Sequence, residues 1–165
     1  MKKLRLILCL AGLFYFALGY GQNEKFKALF IYNFTNYIEW PGGTSGTFTI
    51  TVLGDSPIIS ELQAISKIKK VGNSTIEVKK VNSAGEIGNT QIIFIPSGKK
   101  KALAEIAQAM TGKPTLIISD NAQGKFGINF IEVDTKQSFQ ISKANIEEHR
   151  LKVNSSLVAL GTSVN

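Results

Sequence analysis

Thiol and imidazole chemistry are nearly absent from this sequence. It holds one cysteine, Cys9, and one histidine, His149, in 165 residues. Cys9 sits inside the first apolar run, Leu6 to Leu18, so the remainder of the chain has no thiol. That remainder can form no disulfide, no thiolate metal site and no cysteine nucleophile. A lone histidine provides neither a metal cluster nor a triad, and its place in Glu147-Glu148-His149-Arg150 reads as a solvated helix end. Glu147 and Glu148 are adjacent, so on a helix they diverge and make a poor acid–base pair. No G-x-S-x-G elbow, P-loop or H-E-x-x-H occurs. The glycine-rich Pro41 to Gly46 segment follows a helical pattern and precedes a strand pattern, the reverse of a phosphate-cradling loop. No catalytic residue, metal site or cofactor is therefore expected.

Acids are also missing at the start, where Glu24 is the first, while Lys2, Lys3 and Arg5 precede the apolar run. Gly19 and Gly21 then place small residues ahead of Gln22. This is the pattern of a cleaved secretory signal over residues 1–21, with an exported domain over 22–165. The run is short for a transmembrane span. Removing its three cations takes the net charge from +7 to +4, a weak bias that argues against nucleic acid.

With 44% apolar and 19% charged residues, the chain can bury one core without disulfides. Helical spacing runs from Glu24 to Trp40, with Phe30, Ile31, Phe34 and Ile38 on one face and Phe26 a turn earlier. Asn33 and Asn36 lie off that face. Pro41-Gly42-Gly43 stops it. Beyond it, strand and helix patterns alternate. Strands are expected at Phe48–Leu53, Ser74–Val81, Gln91–Ile95 and Thr115–Ser119. Helices are expected at Ile58–Lys70, with Ser56 as N-cap and Pro57 at the first helical position, and at Lys99–Met110. A hairpin follows at Ile128–Val133 and Ser138–Ile141, then short helices at Lys143–His149 and Asn154–Leu160. The pattern predicts a single α/β domain: a mixed, mostly parallel sheet with helices on both faces.

In such a sheet the crevice lies beyond the carboxyl ends of the strands. Asp55, Ser97, Lys99 and Asp120 should meet there. Lys99-Lys100-Lys101 would occupy the first turn of a helix, where cations oppose the helix dipole and an anion would offset them. A small anionic ligand is thus one candidate partner. The aromatic first helix supplies another reading, a protein-contact surface through Tyr32, Tyr37 and Trp40.

Several blocks are distinctive. They are Lys27-Ala28-Leu29-Phe30-Ile31-Tyr32-Asn33-Phe34, Tyr37-Ile38-Glu39-Trp40-Pro41, Val52-Leu53-Gly54 and Gln91-Ile92-Ile93-Phe94-Ile95. Leu116-Ile117-Ile118-Ser119-Asp120, Gly127-Ile128-Asn129-Phe130, Phe139-Gln140-Ile141 and Leu151 to Leu157 complete the series. In content and order they resemble the YfiR family, also described as a domain of unknown function. The resemblance implies a small periplasmic α/β protein without known enzymatic activity. It further implies a regulator that binds and restrains the extracytoplasmic domain of a membrane signalling protein. In the best-understood member that protein is a diguanylate cyclase, and release raises cyclic di-GMP and promotes biofilm. A histidine kinase stays open as the partner, and a homodimer is also implied. Two departures stand out. The thiol-based redox sensing of the best-understood member has no counterpart here, and Ser142 replaces the family's usual Asn after the Phe-x-Ile strand.

Overall fold

The computed structural model describes residues 23–43 and 46–164. The export segment expected over 1–21 lies outside them. Among the described residues no helix is long and apolar enough to cross a membrane.

Helix α1 covers residues 23–34. It is followed by β1 (Ile38–Glu39), β2 (Thr47–Leu53), α2 (Ile58–Ser66), β3 (Lys70–Val71), β4 (Ser74–Val81) and β5 (Ile92–Ile95). A 3-10 turn at Ser97–Ala102 leads into α3 (Leu103–Ala109) and β6 (Leu116–Asp120). The chain continues through β7 (Ile128–Val133), β8 (Lys136–Ile141), α4 (Lys143–Glu148), β9 (Lys152–Val153), α5 (Ser155–Leu160) and β10 (Thr162–Ser163).

The main sheet has the order β10-β8-β7-β6-β5-β2-β4-β3. Its five central strands, β7 to β4, are parallel; β8 is antiparallel to β7 and β3 to β4, and β10 runs parallel to β8. The mixed, mostly parallel sheet is therefore the expected one. Alternation across β5 shows why helices must cover both faces: Ile92 and Phe94 enter one core, Ile93 and Ile95 the other. The first core is filled from α1, α2 and α5, by Ala28, Ile31, Phe34, Ile58, Leu62 and Leu157. The second is closed by Leu103, Ile106 and Met110 on the α3 side. Asp134 and Thr135 both have positive φ, at 48° and 65°. Two such residues make the tight turn that suits the twist of a hairpin, here between β7 and β8. Ser142, despite the change of residue, still caps α4: its side chain accepts from Asn145 N.

Four expectations need correction. The first helix ends at 34, not at Trp40. Thr35, Asn36 and Tyr37 each bond three residues back, and the Thr35 hydroxyl donates to Tyr32 O at 2.6 Å. These residues have modest helix propensity, and tightened bonding lets the chain leave the helix. Ile38 and Glu39 then pair antiparallel with Val153 and Lys152. The second helix stops at Ser66, not at Lys70, and Ile68 beyond its end is exposed. Lys99, Lys100 and Lys101 lie in the 3-10 turn, and the α-helix starts only at Leu103. The triplet thus does not form the first α-helical turn on which the anion argument rested. Finally, His149 is buried, with Nδ1 2.9 Å from Met110 O. It pins the end of α4 to the end of α3 instead of facing solvent.

Candidate functional site

Two concave regions flank α1, and each gathers residues from distant parts of the chain.

The first is a groove of about 540 Å³ between α1, β8 and α5. Phe30, Phe34 and Tyr37 form one wall, Phe139 the floor, and Leu157 and Leu160 the other wall. Phe30 packs edge-on against Phe34 and Phe139, so the wall is rigid. The apolar surface continues onto the outer side of α1. Phe26 is 41% exposed, Leu29 46% and Leu160 on the facing helix 68%. Phe26 stacks on Phe30 with ring centroids 4.4 Å apart. Clustered exposed apolar side chains of this kind mark contact surfaces, whereas single ones are ordinary.

The aromatic residues expected to form one contact face are split by this arrangement. Tyr37 lines the groove. Tyr32 lies elsewhere on the helix, its hydroxyl 3.5 Å from Lys70 O and its ring beneath the Lys69 ammonium at 5.9 Å. Trp40 is a core residue. It is 7% exposed, meets Phe48 edge-on at 5.0 Å, and donates from Nε1 to Gln91 O at 3.3 Å. Its indole cannot serve as an exposed contact, because the chain has left the helix and turned it under the sheet. The exposed apolar residues that the sequence pattern did not single out are Phe26, Leu29 and Leu160.

The second region is a crevice of about 430 Å³ at the carboxyl ends of β5, β6 and β7. Ser97 and Asp120, two of the four residues expected to converge, do line it. The roof is α1, through Asn23, Glu24 and Lys27. Lys27 is only 5% exposed and donates to Asp120 Oδ2 at 2.7 Å and to Glu24 Oε1 at 3.1 Å. Burial pulls its pKa down, but the hydrogen bonds and charges of Asp120 and Glu24 outweigh burial and leave it above the ordinary 10.5. A raised lysine pKa stabilises the fold fully below about pH 10.5 and loses that contribution as pH climbs through the folded value. Unfolding free energy should therefore fall more steeply above pH 10.5 in the native chain than in Lys27→Met. Urea titrations across that range check it, and parallel slopes would remove Lys27 from the account.

The other two expected residues stand apart from this crevice. Asp55 is ion-paired with Lys80 at 2.7 Å, and that bond holds its carboxyl below the usual range, with a smaller pull from Lys99. The Lys99 side chain lies across Gly54, whose φ of +75° and missing Cβ make room for it. So Asp55 and Lys99 are neighbours, as are Ser97 and Asp120, but the four do not form one anion site. The crevice itself carries Glu24, Asp120 and Glu132 against Lys27, a lining of the wrong sign for an anion. Among the described residues no group of histidine, cysteine and carboxylate side chains is arranged to hold a metal ion.

The family model described as YfiR/HmsC-like matches residues 24–162. The chain belongs to that family. The match opens inside α1 and closes on β10, so this YfiR/HmsC-like domain includes the groove and, Asn23 apart, the crevice. The family is one of non-catalytic periplasmic regulators of membrane sensor proteins. No curated protein sequence matches the chain.

Proposed function

We propose that this YfiR/HmsC-like chain is a periplasmic regulator that docks on the extracytoplasmic domain of a membrane signalling protein and restrains it. A diguanylate cyclase or a histidine kinase is the partner class, and the chain reaches the periplasm by cleavage of residues 1–21. The reading is carried by one observation: a groove where packed aromatics meet Asn33, Asn36, Gln137 and Ser138, with exposed Phe26, Leu29 and Leu160 beside it. Large apolar rings in a preformed groove give contact area at low entropic cost, which is how binding surfaces concentrate their energy. Tyr37 contributes its amphipathic ring to the same surface.

The test uses substitutions that leave the core alone. Phe26→Asp and Leu160→Asp put charge on exposed positions and should leave Tm nearly unchanged. Capture from solubilised membranes should recover one receptor with an extracytoplasmic domain on the native chain. Either substitution should weaken that binding by tenfold or more, about 1.4 kcal/mol. Equal recovery by native and substituted chains would move the contact away from the groove.

A further inference from the structure

A third concavity, of about 460 Å³, opens between α3, the turn at Gly124 and Lys125, and α4. It shares no residue with the groove or the crevice beside α1. Its α3 wall is Ala104, Ala107, Gln108 and Thr111, which the helical period places on one face. Two alanines there leave room that larger side chains would fill. On the other wall, Lys125 and Glu148 meet at 3.2 Å, so their charges cancel.

His149 lines the same space, although the residue is only 7% exposed. Its Nδ1 lies 2.9 Å from Met110 O. A carbonyl can only accept, so Nδ1 carries the hydrogen, and in the neutral ring Nε2 is then a bare acceptor. Nε2 points away from Met110, and no group among the described residues donates to it. Polar atoms of buried side chains normally find a partner, so the cavity has to supply this donor. The deficit narrows the ligand. An anion brings further acceptors, and a cation meets Lys125 as well as Glu148. A metal ion would suit a ring whose other nitrogen is held by a carbonyl. The nearest second ligand is Glu148, however, which Lys125 already holds, and no metal-binding group is arranged among the described residues. A phenolic hydroxyl, protonated at neutral pH, donates without adding charge.

We propose that this cavity binds a small phenolic molecule, its hydroxyl donating to His149 Nε2 and its ring resting against Ala104 and Ala107. The volume is that of an ordinary small-molecule site. Since His149 ties the end of α4 to the end of α3, occupancy braces that junction.

The probes are phenol and anisole, which has the same ring without the O–H donor, each at millimolar concentration and mildly alkaline pH. The chain has one histidine, so nitrogen NMR of the imidazole in protein purified without a histidine tag reports this site alone. Phenol should move the Nε2 resonance saturably, and anisole should not. His149→Asn keeps an N–H for Met110 O but removes the Nε2 acceptor, and it should weaken phenol binding at least tenfold by calorimetry. Ala104 is exposed, so Ala104→Leu should fold normally while narrowing the cavity and weakening phenol several-fold. That variant carries the test if His149→Asn lowers Tm. Leu160→Asp should leave phenol binding intact, which separates this site from the docking groove. The proposal fails if phenol gives no shift, if anisole matches it, or if the folded variants bind phenol as the native chain does.

Discussion

Replacing Trp40 with alanine should destabilise the fold by about 3–5 kcal/mol, the cost of emptying a buried indole site. The loss has two parts. The ring leaves a void against Phe48, and Gln91 O loses the Nε1 donor. Gln91 also serves this corner through its side chain, which accepts from Thr49 N at 2.7 Å. Disturbing it therefore loosens the start of both β2 and β5. Against a total stability of about 5–15 kcal/mol, that is a large fraction, and Tm should fall by roughly 10 °C or more. Trp40→Phe separates the parts, since it keeps most of the ring and should cost about 1–2 kcal/mol. Thermal and urea unfolding decide the matter. A stable Trp40→Ala chain with weakened receptor binding would instead put the indole on the contact surface.

The second large effect is expected at Asn129, which is almost fully buried on β7. Its amide is satisfied on every side. Oδ1 accepts from Ser119 Oγ at 2.9 Å and from Ala122 N at 3.0 Å. Nδ2 donates to Ala122 O at 3.1 Å and to Gln140 Oε1 at 2.9 Å. One side chain thus holds the turn after β6 to both hairpin strands, and with it Ala122 and Phe126 in the second core. Asn129→Ala should cost about 3 kcal/mol, because it strands partner groups that are themselves buried. Asn129→Asp should be at least as damaging at neutral pH. A carboxylate there cannot donate, and it faces two acceptors. Protonation restores a donor, so that variant should recover part of its stability as pH falls. A pH series of unfolding curves checks the sign, and a flat difference between the variant and the native chain would refute it.

The central strands were legible because their information is local. Ile92 to Ile95 is apolar at each position, and β4 alternates, so each segment states its own environment. The hairpin was legible for the same reason, with its turn residues between two strand patterns. The end of the first helix was not. What removes Trp40 from a helical path is Gln91, 51 residues away, and a pairing of Ile38 with Val153. The strands β1, β3, β9 and β10 have two residues each and no pattern to read. They exist only through their partners.

The candidate site divides along the same line. Topology brought Ser97 and Asp120 to the carboxyl ends of their strands, as the alternation of elements requires. The sign of the crevice was missed because it depends on Lys27, Glu24 and Glu132, which lie far from Asp120 in sequence or in another element. One signal was present: Lys27 falls a turn before Ile31 on the buried stripe of α1. A cation on such a stripe needs a buried acid, and Asp120 is that acid.

The bond between Lys27 and Asp120 spans 93 residues, and Phe34 rests on Phe130 and Phe139 of the hairpin. Helix α1 is therefore made well before the elements that seat it. Until the hairpin emerges, Ala28, Ile31 and Phe34 have part of their floor missing, and loop closure must bring together opposite ends of the chain. Docking of α1 waits on the hairpin, and its aromatic face stays uncovered until then. A chaperone that recognises exposed apolar helices would meet α1 before any partner does.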